Sequence, residues 1–129
     1  MTPKKVLVVD DSELVHTMHE TVLARYDGCD VLHAYNGLDA FEVLRKHPDV
    51  ELILLDINMP LMDGLTFLRT RRESGRFTAV PVIVVSTEGG EIEARRGLDA
   101  GAEAYLTKPF RAAELHGVID GLGARLAAP

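Results

Sequence analysis

Four short apolar runs, each followed at once by polar or charged residues, constrain the fold of this chain more than any other feature. The runs are Val6–Val9, Leu52–Leu55, Val82–Val85 and Ala104–Leu106. Unbroken runs of this length are typical of strands that helices cover on both faces of a parallel sheet. Longer stretches with helical spacing separate them, so the chain is predicted to be an α/β domain built from βαβ units.

Five strand–helix pairs are predicted in all. The segment from Asp30 to Tyr35 is interpreted as an edge strand, and the segment from Glu91 to Asp99 as a loosely held fourth helix with little to bury. That helix offers only Ile92, Ala94 and Leu98 to the core. The other helices have apolar stripes at helical spacing, at Leu14, Val15, Met18, Val22 and Tyr26; at Leu38, Phe41 and Leu44; at Leu65, Phe67 and Leu68; and at Leu115, Val118, Ile119, Leu122 and Leu126.

Size and charge exclude several classes of protein. With 129 residues, 47% of them hydrophobic, the chain is expected to form one domain over residues 1–129, either stand-alone or excised from a longer protein. A net charge of -6 argues against direct nucleic-acid binding, which depends on clustered Lys and Arg. Cys29 is the only cysteine, which excludes an internal disulfide, and no apolar stretch reaches the ~20 residues of a membrane span. A cytoplasmic protein without membrane insertion is therefore expected.

Three aspartates follow the predicted strands. Asp10 and Asp11 come after the first run, and Asp56 comes after the run at Leu52–Leu55. Because parallel strands end at the same edge of a sheet, these carboxylates should meet there. Their mutual repulsion favours a bound cation, and hard oxygen ligands suit Mg²⁺. Any one of them could instead be a helix cap or a loop carboxylate, but their convergence argues for a metal and phosphate site.

Asp56 needs a role other than capping, because the residues up to Pro60 start no helix. A carboxylate beside Mg²⁺ can act as a nucleophile toward phosphorus and form an acyl phosphate. Lys108, which follows the last run, is predicted to pair with Asp56 and later with a phosphoryl oxygen. Ser86 brings a hydroxyl to the same edge. The predicted helix caps are Asp11 or Ser12, then Asn36, then Asp63.

Together these motifs resemble the receiver domain of bacterial two-component response regulators. The residues that carry the resemblance are Asp10–Asp11, Asp56, the loop Asn58–Gly64, Ser86, Tyr105 and Lys108–Phe110. The resemblance spans essentially the whole chain, and within the family the chain is similar to chemotaxis-type single-domain receivers. It implies a flavodoxin-like, doubly wound sheet of five parallel strands in the order 2-1-3-4-5, with five helices.

The resemblance also implies a role for each residue of the site. Asp56 would accept a phosphoryl group from a phosphohistidine of a sensor histidine kinase or a phosphotransfer protein. Asp11, Asp56 and the backbone carbonyl of Asn58 would ligate Mg²⁺, or Mn²⁺ in its place, with Asp10 acting through water. Lys108 and the Ser86 hydroxyl would bind phosphoryl oxygens.

The same resemblance implies a switch formed by Ser86 and Tyr105, with a change in the face formed by the fourth helix, fifth strand and fifth helix. Asn58 and Glu88 occupy the positions that set phosphate lifetime in such proteins. Thr87 departs from the family pattern, which often has alanine there, and would narrow access to the phosphorylated aspartate. The alternative for Tyr105 is a half-buried strand tyrosine that never moves.

The expected partners are the kinase or phosphotransfer protein and a downstream target. The protein itself is expected to be a monomer, with dimerisation on phosphorylation as the alternative. The chain would be no enzyme beyond its own phosphoryl uptake and autodephosphorylation. One alternative is an interaction module on the same fold that does not use phosphorylation. A remote one is an aspartate-nucleophile phosphatase, which Asn58 disfavours because such enzymes need an acidic aspartate there. The five histidines have no metal-ligand spacing and are interpreted as surface or filler residues; they are His16, His19, His33, His47 and His116.

Overall fold

Five strands and five helices alternate along the chain in a computed structural model that describes the backbone of residues 1–127 and the side chains of residues 1–122. The strands are β1 (Lys5–Val9), β2 (Asp30–Ala34), β3 (Leu52–Leu55), β4 (Val82–Ser86) and β5 (Ala104–Thr107). The helices are α1 (Glu13–Leu23), α2 (Gly37–Lys46), α3 (Gly64–Ser74), α4 (Glu91–Asp99) and α5 (Ala112–Ala127). All strand pairs are parallel and their order is β2-β1-β3-β4-β5, which confirms the predicted fold class.

The central strands separate two layers of core. Along β1, Val6 and Val8 face α1 and α5, whereas Leu7 and Val9 face α2 and α3. All residues of β3 are buried, as expected for a strand covered on both faces. β2 lies at the edge of the sheet, as predicted, but it ends at Ala34 rather than Tyr35.

Side chains cap the first three helices. The Ser12 hydroxyl accepts a hydrogen bond from the Val15 amide at 3.4 Å, so Ser12 rather than Asp11 caps α1. The side-chain oxygens of Asn36 and Asp63 accept bonds of 2.8 and 2.7 Å from amides in the first turns of α2 and α3. These caps fix the start of each helix, two to three residues after the strand for α1 and α2 and after a longer loop for α3.

The predicted apolar stripes are wrong at several positions in α1, α2 and α4. Leu14 is 69% exposed and Ile92 is 73% exposed, and the other exposed members are Met18, Leu38 and Leu98. Leu14 and Leu38 lie in the first turns of their helices, beyond the ends of the strands that would cover them. The Leu126 side chain, also predicted to be buried, lies outside the described residues.

The prediction that α4 has little to bury is confirmed, since its one buried residue is Gly97; its loose attachment stays a prediction. Over residues 1–127, no helix combines the length and the apolar character that a membrane span requires.

Candidate functional site

The acidic cluster forms where β1 and β3, neighbours in the sheet, end together. Val9 pairs with Leu55, and the Asp56 amide donates a 2.9 Å hydrogen bond to the Val9 carbonyl, so the carboxylates that follow lie side by side. Oxygens of Asp10, Asp11 and Asp56 come within 4.8 Å of one another. Asp10 and Asp56 are buried, whereas Asp11 is exposed.

This group of oxygens fits Mg²⁺. The donors are all carboxylate oxygens, which are the ligands that a hard divalent cation prefers, and the exposed position of Asp11 leaves one side open to water. Mg²⁺ usually keeps several waters and takes only one or two protein carboxylates directly, which agrees with a site open to solvent. The roles of Asp10, Asp11, Asp56 and the Asn58 carbonyl as ligands stay predictions.

Burial and neighbouring charges raise the pKa of Asp56 to about 6. Loss of hydration is the largest cause, and the Asp10 carboxylate adds to it; the Lys108 ammonium and the Ile57 amide act in the opposite direction. Without a metal ion, the protonated form of Asp56 is therefore stabilised well above the ordinary range of an aspartate. Protons and metal ions compete for this carboxylate in mildly acidic solution.

Lys108 supplies the positive charge at the acidic edge. Its amide donates to the Ser86 carbonyl at 2.7 Å, and the Lys108–Pro109 peptide bond is cis. The Lys108 Nζ lies 2.9 Å from Asp10 Oδ2 and 3.8 Å from Asp56 Oδ1. The predicted pairing with Asp56 is thus present, but the hydrogen bond goes to Asp10, which sequence reasoning did not anticipate.

Glu88 connects the residues predicted to form the switch. The buried Ser86 hydroxyl accepts a hydrogen bond from the Glu88 amide at 3.1 Å, and the Tyr105 hydroxyl donates to the Glu88 carbonyl. The Asn58 side-chain amide donates to Glu88 Oε1 at 2.8 Å. Glu88, one of the two predicted lifetime positions, therefore links the other, Asn58, to the predicted switch pair, and the roles of these residues stay predictions.

Two glycines allow close approaches around the site. A Cβ on Gly64 would lie 2.2 Å from the Asp56 carbonyl oxygen, so only glycine permits the loop after β3 to close against Asp56. A Cβ on Gly97 would lie 2.9 Å from the Tyr105 ring, which places α4 directly on that ring. The glycine on α4 thus determines how near the helix lies to Tyr105.

Two of the histidines, which the sequence predicts to be surface or filler residues, do not lie at the surface. His16 and His19 are both buried on α1, whose buried face they form with Leu23. The His16 Nε2–H donates to the Asp10 carbonyl oxygen at 2.7 Å, and its Nδ1 lies 2.7 Å from Nδ1 of His33. His16, His19 and Leu23 have helical spacing, but a pattern based on hydrophobic residues alone does not identify buried histidines.

A groove of about 300 Å³ opens beside the acidic cluster, with mostly apolar walls. Its lining comes from Val15, Met18 and His19 on α1, from Thr87, and from Lys108, Pro109 and Phe110. The His19 ring stacks on the Phe110 ring with centroids 5.9 Å apart, and burial, with Lys108 nearby, lowers the pKa of His19 to about 4. Thr87 lies on the wall of this groove, and its predicted effect on access stays a prediction.

Comparison with known families matches residues 6–120 to the response regulator receiver domain. The chain is 40% identical over 106 residues to a chemotaxis protein CheY homolog of Campylobacter jejuni, covering 82% of each chain. It is 38% identical over 116 residues to protein PilG of Pseudomonas aeruginosa, covering 89% of this chain and 84% of PilG.

Two solved structures show the same fold. The chemotaxis response regulator CheY4 of Vibrio cholerae has a TM-score of 0.81 and 30% identity, over 92% of this chain and 98% of that one. CheY in the CheX-CheY-BeF3-Mg complex from Borrelia burgdorferi has a TM-score of 0.85 and 29% identity, over 93% of this chain and 89% of that one.

Proposed function

Because this chain belongs to the response regulator receiver domain family, we propose that it is a phosphorylation-controlled switch of a two-component system in which Asp56 accepts the phosphoryl group. The observation that carries the proposal is the group of three carboxylates within 4.8 Å, with the Lys108 ammonium 3.8 Å from Asp56. A helix cap or a structural ion pair would not require so many like charges at one edge.

The chemistry is transfer from a phosphohistidine of a kinase or phosphotransfer protein. An oxygen of the Asp56 carboxylate attacks phosphorus, the P–N bond breaks as the O–P bond forms, and the imidazole leaves with the electron pair of the broken bond. Asp11, Asp56 and the Asn58 carbonyl would hold Mg²⁺, with Asp10 acting through water, and the ion would supply charge stabilisation at the phosphoryl oxygens. Lys108, already beside Asp56, offers its ammonium to one of those oxygens.

The readout is a change in the face formed by α4, β5 and α5. A phosphoryl group on Asp56 attracts the Ser86 hydroxyl, which would then give up its bond from the Glu88 amide. Tyr105 shares Glu88 as a partner, so its hydroxyl would be released together with the loop. Since α4 buries only Gly97 completely, moving it disrupts little packing. A coupling free energy of about 1 to 3 kcal/mol is the usual scale for such a switch.

The partners follow from this chemistry. A sensor histidine kinase or phosphotransfer protein would donate the phosphoryl group, and a downstream protein would recognise the changed face; the Borrelia relative, for example, is described in complex with CheX. The protein would act in the cytoplasm as a monomer, without binding nucleic acid directly. It would be no enzyme beyond its own phosphoryl uptake and loss, and the hydrogen bond between Asn58 and Glu88 would constrain the two side chains that set the rate of loss.

The test is the intact mass of the protein after incubation with phosphoramidate or acetyl phosphate, with and without Mg²⁺. A gain of one phosphoryl group that needs Mg²⁺ and is absent in Asp56→Asn is expected. Because Thr87 could hinder small donors, beryllium fluoride is added in parallel, and perturbation of the Tyr105 ring resonances by NMR is the second readout. Absence of both signals would reject the switch and favour an interaction module that does not use phosphorylation.

A further inference from the structure

Positive charge is concentrated on the second half of α3, although the chain as a whole is acidic. Residues 69–76 contain four arginines and one glutamate, whereas the net charge of the chain is -6. Arg95 and Arg96 lie on α4, which also carries three acids, Glu91, Glu93 and Asp99. Neither helix contributes any of these arginines to the acidic cluster, so the positive surface is a separate feature of the molecule.

A cleft of about 220 Å³ lies between the two helices at this surface. Arg69 and Arg72 of α3 and Arg96 of α4 line it, together with Asp99 and Ala100. The Arg72 Nη2 donates to the Asp99 carbonyl at 2.6 Å, which joins α3 to the end of α4. Three guanidinium groups from two helices therefore border one small concave space.

These guanidinium groups are poorly matched with carboxylates. Among the side chains that the structure describes, Arg69 and Arg72 have no carboxylate within 4.0 Å, and Arg96 has only Glu93 at 3.8 Å. Acids are present nearby, since α4 carries Glu91, Glu93 and Asp99, but only Glu93 lies within 4.0 Å of one of these guanidinium groups among the described side chains. Like charges that converge with so few carboxylates in contact repel one another, and a bound anion would relieve that repulsion.

Arg71 adds a buried charge behind the cleft. Its guanidinium donates to the carbonyls of Val80 at 2.7 Å and Gly101 at 3.3 Å, and burial lowers its pKa from the ordinary value. A Cβ on Gly101 would lie 3.2 Å from Arg72 Nη2 and 3.3 Å from Arg71 Nη2, so both groups approach the same point. The positive potential of the cleft thus extends below its surface.

We propose that the cleft between α3 and α4 is an anion site that takes a small molecule with a pyrophosphate group, such as a nucleoside diphosphate. Guanidinium groups present planar pairs of N–H donors that match phosphate oxygens. A ligand with two phosphoryl groups can place one against the arginines of α3 and the other against the arginine of α4. A compact polyanion also fits a concave site of this size better than an extended acidic peptide does. Asp99 at the rim opposes the anion and so limits its affinity.

Isothermal titration with inorganic pyrophosphate in EDTA tests the site, because the acidic cluster repels anions when no Mg²⁺ is present. Arg69→Gln and Arg96→Gln each change an exposed side chain and should weaken binding about tenfold, the usual loss for one hydrogen bond to a charged group. Asp99→Asn should tighten it several-fold. Arg25→Gln removes the same charge on the opposite face of the sheet, where Arg25 pairs with Asp120, and should leave the Kd within about twofold.

Hydrogen exchange locates the ligand independently of the titration. Pyrophosphate should slow amide exchange in residues 91–99, because a bound anion bridges α4 to α3. The proposal would be overturned if pyrophosphate showed no saturable binding, or if Arg25→Gln weakened binding as much as Arg69→Gln and Arg96→Gln do. It would also be overturned by weaker binding in Asp99→Asn or by unaltered amide exchange in α4. Tighter binding of an acidic peptide than of pyrophosphate would overturn the assignment to a small phosphorylated ligand.

Discussion

Asp10 is held from three directions, and this fixes the geometry of the acidic cluster. His16 donates to its carbonyl at 2.7 Å, the Ser12 amide donates to its Oδ1 at 2.9 Å, and the Lys108 ammonium lies 2.9 Å from its Oδ2. Ser12 and His16 belong to the start of α1, whereas Lys108 follows β5; the His16 bond holds the backbone, and the other two leave the Asp10 carboxylate little freedom to rotate. Orientation of this kind lowers the cost of placing a metal ion, since the ligand does not need to be ordered on binding.

Replacing His16 tests this restraint at the scale of one side chain. His16→Leu should weaken Mg²⁺ binding about tenfold, because the buried Asp10 carbonyl loses its partner and the loop relaxes, whereas His16→Gln keeps an N–H donor and should lose less. Isothermal titration with Mg²⁺ measures both. His116→Leu is the matched control, since the His116 Nε2–H donates to the Val22 carbonyl at 2.7 Å, away from the site. Equal losses of Mg²⁺ affinity in His16→Leu and His116→Leu would show that His16 acts only through stability.

The residues at the strand ends could be predicted from the sequence, but those that support them could not. Asp10, Asp56 and Lys108 are recognisable because an apolar run stops at each of them and parallel strands share an edge. Burial of His16 depends on how α1 rotates against β2, which neighbouring apolar residues do not specify. The bond from Lys108 to Asp10 depends on side-chain directions in three dimensions, which the order of residues does not contain.

At the scale of elements, α4 has the fewest buried residues of the helices over residues 1–122, and it contacts the predicted switch residue Tyr105. Its contact with Tyr105 passes through Gly97, where a Cβ would lie 2.9 Å from the ring. The weak apolar stripe of α4 was visible in the sequence, but the identity of its buried residue was not, because glycine carries no hydrophobic signal. Ile92 and Leu98, the larger apolar residues, point into solvent instead.

Two glycine substitutions separate helix propensity from packing. Gly117→Ala on α5 should stabilise the protein by about 0.5 to 1 kcal/mol, since a Cβ there meets nothing within 4 Å and alanine favours helix. Gly97→Ala gains the same propensity but displaces the Tyr105 ring, so it should be neutral or destabilising by about 1 to 2 kcal/mol. Urea unfolding of both variants measures the difference, and the Tyr105 ring resonances should shift in Gly97→Ala alone. Equal stabilisation by both would mean that α4 does not pack on this ring.

At the scale of the whole molecule, the acidic cluster opposes folding when no metal is bound. The raised pKa of Asp56 means that the folded chain holds this proton more tightly than the unfolded chain does. Stability should therefore fall as pH rises from about 4 through about 6, and the full penalty remains above that range. Binding of Mg²⁺ to the folded chain can offset this loss of stability.

Asp56→Asn should remove the penalty. In EDTA at pH 7 its free energy of unfolding should exceed that of the wild type by roughly 2 kcal/mol, and the gain should vanish as pH falls from about 6 to about 4. Urea unfolding across that pH range measures the effect. Asp49→Asn is the control: Lys5 lowers the pKa of this exposed carboxyl, so the substitution should not stabilise the protein at pH 7. A pH-independent gain in Asp56→Asn would reject the electrostatic explanation.

The contact between Lys108 and Asp10 joins residues 98 positions apart, and it has a consequence for how the protein is made. When the chain emerges from the ribosome, the aspartates that follow β1 and β3 are made long before Lys108, whose positive charge offsets theirs. Lys108 reaches the cluster only after β5 has docked on β4, because its amide is held by the Ser86 carbonyl. Every unfinished chain that stops short of β5 therefore lacks the positive charge at its acidic edge, and the site is complete only once β5 has joined the sheet.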